Sequence, residues 1–277
     1  MNYFDKDPQY LFRIDNRPVE IEDLNDIDQS SEEIVIYGKT KGIDLLASFS
    51  HLKKLWICSV NQQEFDQILS QVNPEMLSVY NMRVENLSLL STLSNLQTLS
   101  LEWNTKASSL WDVSKNTYLN ALSIEGFSKI RDIEPLMQGN KIEYLNLQGD
   151  QNNTLKIQTL EPLKYLQQLK YLGLSFIKVE DESLKPISYL KGLKVLAISN
   201  QFPTEEYAKL SVDLPETKCS KFAAYERLHQ AISGMNIMVV GKRKPNLNLQ
   251  KDAEKVKKYE NQFKELQKAY KKVNKIG

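Results

Sequence analysis

The sequence predicts an α/β fold in which one short unit repeats along the chain and contributes one strand per copy to a parallel β-sheet. The first observation is a ladder of leucines at spacings of three, three, three and two, followed by an asparagine: Leu90, Leu93, Leu96, Leu99, Leu101 and Asn104. The last two leucines point to one face of a short strand, and the earlier ones suit a turn and a helical return. Because one such unit cannot bury its apolar side alone, its neighbours must repeat the pattern.

The second observation is that the strand pair recurs eight times. Its first members, here called first anchors, are separated by 21, 22, 22, 23, 23, 27 and 24 residues. The second anchors, two positions later, are all aliphatic, as buried parallel strands prefer. The pairs are Ile34 and Ile36, Leu55 and Ile57, Leu77 and Val79, Leu99 and Leu101, Leu122 and Ile124, Leu145 and Leu147, Leu172 and Leu174, and Leu196 and Ile198.

The three-residue ladder returns at 160–172 and at 184–196. With these motifs, residues 31–201 resemble the leucine-rich-repeat proteins that have about 22 residues per repeat, as in bacterial internalins and phosphatase regulatory subunits. The resemblance implies a right-handed solenoid with a concave parallel sheet of about eight strands and with short helices and turns on its convex side.

The chain departs from that family at the ends of its strands. The asparagine that normally closes the strand stands in place only at Asn104, with Asp150 as a substitute. Backbone groups at the other corners must therefore find water or one another. We expect irregular convex loops, least regular between Leu145 and Leu172.

Both ends of a solenoid need caps, because the terminal repeats would otherwise expose their apolar faces. We assign residues 1–30 to an acidic N-terminal cap. Its apolar residues are Leu11, Phe12, Ile14, Val19, Ile21, Leu24 and Ile27.

Residues 202–248 are assigned to a C-terminal cap. Tyr207 and Leu210 fit a helix closed by Pro215, and a second helix is expected at 223–232. The apolar run within 235–241 predicts a strand that stops at a glycine.

Residues 249–277 predict a basic amphipathic helix. Its apolar positions fall in a heptad pattern among many lysines: Leu249, Val256, Tyr259, Phe263, Leu266, Tyr270 and Val273. The helix could pack back on the cap, pair with a partner helix or a second copy, or bind an anionic surface.

Charge is distributed unevenly, although the net value is only +1. Residues 1–33 hold ten acidic and three basic side chains, and residues 242–277 hold twelve basic and four acidic ones. In a solenoid these segments lie at opposite ends, which makes the molecule an electrical dipole. The caps either simply differ in sign, or they attract one another end to end or an acidic partner.

Composition and motifs exclude several classes of function. The near-neutral charge gives no global signal for nucleic acid, and neither a secretory leader nor an apolar run of about 18 residues is found, so we expect a cytoplasmic protein with no membrane association. Cys58 and Cys219 are not expected to form a disulfide framework. With only His51 and His229 and no nucleotide, nucleophile or zinc motif, we expect no enzyme activity, no cofactor and no metal site.

The candidate site is the concave surface, where residues flanking the anchors project away from the core. Tyr37, Trp56 and Tyr80 are expected as exposed aromatics on three adjacent strands, which suits a protein-binding hot spot. Glu102 and Glu125 occupy equivalent positions, so their carboxylates either spread into water, await a cationic group, or serve acid-base chemistry. Further candidates on the same surface are Tyr144, Asn146, Gln148 and Tyr171.

These expectations favour a non-catalytic scaffold that binds another protein on its concave face as a regulator, adaptor or neutraliser. The alternative is a self-assembling structural protein that uses its oppositely charged ends and its C-terminal helix. A binder of nucleic acid or anionic membrane rests on that helix alone. Trp56 and Tyr80 could instead lean on one another, or lie under the N-terminal cap, and serve only packing.

Overall fold

A parallel β-sheet runs through the computed structural model, which describes residues 17–274. Within those residues eight strands form the sheet in the order β1-β2-β3-β4-β5-β6-β8-β10, and β7 pairs with β9 in a separate two-stranded sheet. Numbered along the chain, the strands are β1 (Glu33–Tyr37), β2 (Lys54–Asn61), β3 (Met76–Arg83), β4 (Thr98–Asn104), β5 (Ala121–Phe127), β6 (Tyr144–Gln148), β7 (Leu155–Ile157), β8 (Tyr171–Ser175), β9 (Ile177–Val179) and β10 (Val195–Ile198).

The predicted anchor register is confirmed. In every neighbouring pair of strands in the large sheet a first anchor lies opposite a first anchor, as Leu99 does opposite Leu122. All anchors are buried, and only Ile198 on the last strand exceeds 2% exposure. The anchors of successive repeats therefore form one continuous apolar core.

Short helices on the convex side return the chain from one strand to the next. Most are 3-10 helices, whose three residues per turn match the three-residue spacing of the leucines. In the second repeat an α-helix, α1 (Gln62–Leu69), takes this place, and it starts at a capping box between Asn61 and Glu64. The 3-10 helices of the repeats are Ile43–Ser48, Ser88–Thr92, Val113–Lys115, Glu134–Gln138, Glu161–Tyr165 and Lys185–Tyr189.

Asn104 closes its strand as the family pattern implies. Its side chain donates to the carbonyl of Val84 in the preceding repeat at 2.8 Å and accepts from the backbone N–H groups of Lys106 and Ala107. Asp150 reproduces the accepting half, with its carboxylate 2.7 Å from the N–H groups of residues 152 and 153. A carboxylate cannot donate, so Asp150 cannot make a hydrogen bond like the one from Asn104 to a carbonyl of the preceding repeat. The long repeat is less irregular than expected, because its extra residues include β7 paired with β9.

A left-handed residue stands four positions after the first anchor in five repeats. Its φ angle is positive at Ser59, Asn81, Trp103, Gly126 and Phe176, with values between 49° and 67°. We call this set the left-handed column. Each such residue shifts the alternation of its strand, so the residues one position later, including Val60, Met82 and Asn104, return to the core. For Trp103 and Phe176 this backbone is strained, because a bulky L-residue avoids it.

The N-terminal segment extends the sheet beyond β1. The N–H of Ile21 donates to the carbonyl of Val35 at 2.9 Å, and the N–H of Lys41 donates to the carbonyl of Glu22 at 3.0 Å. Leu24 is buried beneath this segment, whereas Val19 is exposed. The cap residues Leu11, Phe12 and Ile14 lie outside the described residues.

At the other end, α2 (Thr204–Asp213) buries Tyr207 and Leu210 as predicted. The helix expected at 223–232 is wrong, because that segment is a strand. Strands β11 (Tyr225–Ile232), β12 (Met235–Val239) and β13 (Asn246–Leu247) form a small antiparallel sheet. Ser233 and Gly234 both have positive φ angles, which is the geometry of a tight hairpin turn. That turn brings the segment beside the predicted strand at 235–239, and the pairing overrides its local helical pattern.

The last element is α3 (Ala253–Asn274), which packs against the C-terminal cap. Val256 is buried against the small sheet, and Phe263 joins the main core. Gln267 donates to Ser211 and Tyr270 donates to Asp213, both at 2.8 Å, which ties α3 to α2. Val273 is 69% exposed. None of the helices in residues 17–274 combines the length and the apolar character needed to cross a membrane.

Truncation of the helix seam separates capping from assembly. Phe263→Ala should lower the free energy of unfolding by about 3–5 kcal/mol, because it leaves a cavity in the core. Val273→Ala, on the same helix but exposed, should change it by less than about 0.5 kcal/mol. Thermal melts and light scattering on both variants check this. A change of oligomeric mass in the Val273 variant would contradict a purely capping role.

The positive φ angle of Trp103 predicts that glycine and alanine rank in opposite order of stability at Trp103 and at Thr98, which lie on the same strand. At Trp103, glycine should give a protein about 1 kcal/mol more stable than alanine does, because glycine adopts a positive φ without strain. At Thr98, in the extended part of β4, alanine should be the more stable by about 0.5–1 kcal/mol. Urea denaturation of the four variants measures both differences. If alanine gave the more stable protein at both positions, the strained conformation of Trp103 would be excluded.

Candidate functional site

The outer row of the concave surface consists of the residues three positions after each first anchor. From Tyr37 to Ser175 consecutive members lie opposite one another, so the row is continuous across the first seven strands of the sheet. From the first strand onward the members are Tyr37, Cys58, Tyr80, Glu102, Glu125, Gln148, Ser175 and Ser199. A surface built this way sets aromatic, acidic and amide side chains side by side.

The expected aromatic cluster of Tyr37, Trp56 and Tyr80 is wrong, because Trp56 is only 5% exposed. Its indole packs with Val35, Cys58 and Met76 in a small cluster on the concave side of the sheet. Nearby, Arg17 donates to the sulfur of Cys58 at 3.3 Å. Trp56 therefore serves packing beside the N-terminal segment and is not available as a contact residue.

Tyr37, on β1, is separated from Tyr80 by Cys58 of β2 and is bound to the N-terminal cap. Its hydroxyl donates to Glu20, which is also paired with Arg17 at 2.8 Å. The hydrogen bond to Glu20 raises the pKa of Tyr37, because it favours the protonated hydroxyl. This ring fixes the cap to the first strand, although its edge is exposed.

The other predicted residues form a polar and aromatic patch on the later strands. Tyr144 is buried and packs with Ala121 and Tyr171, so it contributes little free surface. Asn146 donates to the hydroxyl of Ser123 at 3.1 Å. Gln148 continues the outer row next to Glu125.

Tyr80 contacts an aromatic residue that the strand pattern did not predict. The ring centroids of Tyr80 and Trp103 are 4.8 Å apart with a tilt of 38° between the planes. Strict alternation would place Trp103 in the core, but its left-handed backbone turns it outward and leaves it 47% exposed. The recurrence of Ser59, Asn81 and Gly126 at this position was the only signal available in the sequence, since small and asparagine residues tolerate positive φ.

Glu102 and Glu125 lie directly opposite one another on β4 and β5. Both are half-buried. Burial raises the pKa of Glu102, the Ser100 hydroxyl that donates at 3.0 Å opposes this, and the charge of Glu125 raises it further. Burial likewise raises the pKa of Glu125, Gln148 donates to it and lowers the pKa, and the nearby Asp150 raises it. The two carboxylates are therefore not spread freely into water.

A cleft of about 760 Å³ opens beside this pair, at the carboxyl ends of the central strands. Trp103 and Phe176 from the left-handed column border it, as do Glu125, Asp150 and Arg83. Phe176 is 45% exposed. The cleft thus combines two exposed aromatic rings with acidic groups, a composition suited to binding a cationic group with an apolar stem.

Within residues 17–274 no group of three or more histidine, cysteine, aspartate or glutamate side chains converges in a geometry that could hold a metal ion. His51 and His229 belong to neither the outer row nor the cleft. Cys58 and Cys219 are free thiols, and burial raises the pKa of both. The arrangement on the concave face can supply charge, aromatic surface and hydrogen bonds to a ligand.

The raised pKa values of the glutamates make a pH-dependent prediction. A carboxyl whose pKa is raised on folding binds its proton more tightly in the folded state, so its contribution to stability is present at low pH and is lost as the pH rises through the raised value. The double variant Glu102→Gln, Glu125→Gln should therefore be more stable than the native protein at pH 7. The difference should shrink as the pH falls toward 4.5, the ordinary value of the group. Melts across this range test it, and a variant less stable at pH 7 would contradict it.

No family model matches the sequence, and no curated protein matches it either. Among solved structures, an internalin from Listeria monocytogenes is 17% identical, with a TM-score of 0.49 over 68% of this chain and 60% of its own length. Internalin C2 of that species is 19% identical, with a TM-score of 0.42 over 58% and 68%. A leucine-rich-repeat protein of Leptospira interrogans is 19% identical, with a TM-score of 0.41 over 62% and 49%.

The present chain thus spans 60% of the first internalin and 49% of the Leptospira protein. The fold of the present chain is established by its own strands and core, without reference to these structures. Eight parallel strands carry their anchor pairs in one register, and short helices with leucines in the core return the chain between them. By that geometry the chain is a leucine-rich-repeat solenoid.

Proposed function

We propose that this protein is a recognition scaffold that binds another protein on its concave face without catalysing a reaction. Three features support this. The outer row is a continuous surface that the core does not require, it holds aromatic and acidic side chains together, and it borders an open cleft. Repeat solenoids present extended concave surfaces of this kind to their partners.

The observation that carries the proposal is the pairing of Glu102 with Glu125. Their like charges meet while half-buried, and among the described residues each accepts a hydrogen bond from a neutral donor and forms no ion pair. Such an arrangement costs folding free energy. A partner that brings a cationic group to this point would relieve the repulsion, so the free energy that the repulsion costs on folding would be regained on binding.

The centre of the proposed surface is therefore shifted along the sheet. The sequence suggested Trp56 and Tyr80, but the aromatic pair on this surface is Tyr80, which is half-buried, with Trp103, which is exposed. Aromatic rings of this size, clustered beside charged groups, are the residues that dominate binding energy in protein interfaces.

Self-assembly is the weaker alternative. The apolar seam of α3 is used by the cap, with Val256 and Phe263 both buried. The edges of the sheet are also covered: residues 20–22 lie against β1, and the N–H of Leu196 on β10 donates to the carbonyl of Lys218. Edges that are already paired do not template the addition of another copy.

A matched pair of double variants tests the binding surface. Tyr80→Ala with Trp103→Gly removes the concave aromatic pair, and Tyr165→Ala with Tyr189→Ala removes two exposed tyrosine rings from the convex side. The native protein and both variants are immobilised and compared for capture of proteins from the source extract. A captured protein should be retained by the native and convex-variant columns and lost from the concave one.

With that protein purified, the concave variant should bind it about thirtyfold more weakly, which corresponds to about 2 kcal/mol. The convex variant should bind it within about twofold of the native protein. Unchanged affinity in the concave variant with loss in the convex one would place the interface on the opposite side of the solenoid and reject the proposal. Circular dichroism of all three proteins controls for folding.

A further inference from the structure

We propose that the cleft beside Trp103 and Phe176 is a pocket for an arginine side chain of the partner protein. This inference rests on the proposed function, because it specifies the chemistry of the group that the concave face receives. The pocket is built by residues of the left-handed column, by Glu125 and Gln148 of the outer row and by the turn after β6.

The charge of the pocket favours a cation. Glu125 and Asp150 line it, and Glu102 lies beside Glu125 on the next strand. Arg83 is the only basic residue among its described lining residues, which leaves the site acidic. Arg83 also borders the neighbouring cleft, which Glu64 and Lys39 line as well.

The aromatic side of the pocket is held in place by strained backbone. Trp103 and Phe176 are the two large residues of the left-handed column, with φ angles of 56° and 49°. Their rings would find more apolar surroundings if the strands kept their ordinary alternation. Strain of this kind, at two exposed aromatic rings that border one cleft, points to a ligand-binding role.

Two glycines allow the groups around the cleft to approach one another closely. A Cβ atom at Gly126 would lie 2.7 Å from the indole of Trp103 and 3.1 Å from the carboxylate of Asp150. At Gly149 a Cβ atom would meet backbone atoms of residues 153 and 176. A side chain at Gly126 would therefore fill the point where the indole and the carboxylate approach one another.

Arginine fits these surroundings better than lysine does. Its guanidinium is planar, so it can stack on an indole while its N–H groups donate in the ring plane to carboxylates. Paired hydrogen bonds to carboxylates add both strength and geometric specificity. The compact ammonium of lysine can approach a ring or a carboxylate but does not present a flat face to one and a fork of donors to the other.

The fluorescence of the full-length protein reports on this pocket. Of the three tryptophans, Trp56 and Trp111 are 5% and 3% exposed, so quenching and spectral shifts caused by a soluble ligand arise mainly at Trp103. The probe is the blocked tripeptide Gly-Arg-Gly. Its controls are the same peptide with citrulline, which keeps the shape and removes the charge, and with lysine.

We expect the arginine peptide to produce a saturable change with a dissociation constant on the order of 1 mM, as one anchored side chain allows. The citrulline peptide should bind at least tenfold more weakly, and the lysine peptide should bind more weakly than arginine. Equal responses to arginine and citrulline, no saturable response to arginine, or a preference for lysine would each overturn the arginine pocket.

Variants locate the binding within the cleft. Glu102→Gln with Glu125→Gln should weaken the arginine peptide about tenfold, since both carboxylates lose their charge while their shapes remain. Arg83→Gln should strengthen it severalfold, because a like charge is removed from the rim. Arg227→Gln, an exposed arginine on β11 away from the cleft, is the matched control and should have no effect. An unaltered affinity in the glutamate variant, or weaker binding in the Arg83 variant, would overturn the assignment.

The outcomes distinguish this inference from the proposed function. If the concave aromatic variant loses its partner but no arginine peptide binds, the scaffold stands and the arginine pocket fails. If the arginine peptide binds as expected but the partner still binds the concave aromatic variant, the pocket chemistry stands and the proposed protein interface fails.

Discussion

Each repeat of this solenoid depends on the burial of its two anchor side chains, which pack against the anchors of the neighbouring strands. A first anchor such as Leu99 lies opposite Leu77 and Leu122 on the neighbouring strands, and the ladder leucines join it in the same core. The sheet, the short helices that return to it and the continuous core all depend on this shared burial. Nearest-neighbour packing of this kind explains why variable repeat lengths, from 21 to 27 residues, are tolerated: the extra residues enter the returns and leave the anchors in register.

The left-handed column is the second constraint, and it determines which side chains face outward at the ends of the strands. One residue with positive φ in each of five repeats shifts the alternation, so two successive positions face away from the core before the chain turns back. In most of these repeats a small residue or an asparagine accepts the conformation. In two of them a large aromatic residue does so, at a cost in stability. Both of those residues border the same cleft, which links the backbone strain to the site.

The electrostatics of the site follow from the parallel register. Equivalent positions on neighbouring strands are about 5 Å apart at the backbone, so an acidic residue repeated at one position places two carboxylates side by side. Glu102 and Glu125 satisfy part of their hydrogen-bonding capacity with Ser100 and Gln148, yet burial still raises the pKa of both. In the proposed complex, a cationic group of the partner would relieve this destabilisation.

The sequence alone determined the parts of the molecule that depend on local periodicity. The anchor pairs, the three-residue ladder and the outer row with Tyr80, Glu102, Glu125 and Gln148 follow from spacings within single repeats. The tertiary structure decided what depends on contacts between distant residues or on one dihedral angle. Trp56 is buried in a cluster of three neighbouring strands near the N-terminal segment, where Arg17 reaches Cys58 across 41 residues of sequence. Trp103 is outside because its φ angle is positive, and β11 is a strand because the turn at Ser233 and Gly234 pairs it with β12. No pattern of apolar residues encodes these features, since each arises from the conformation or the neighbour that the folded chain imposes.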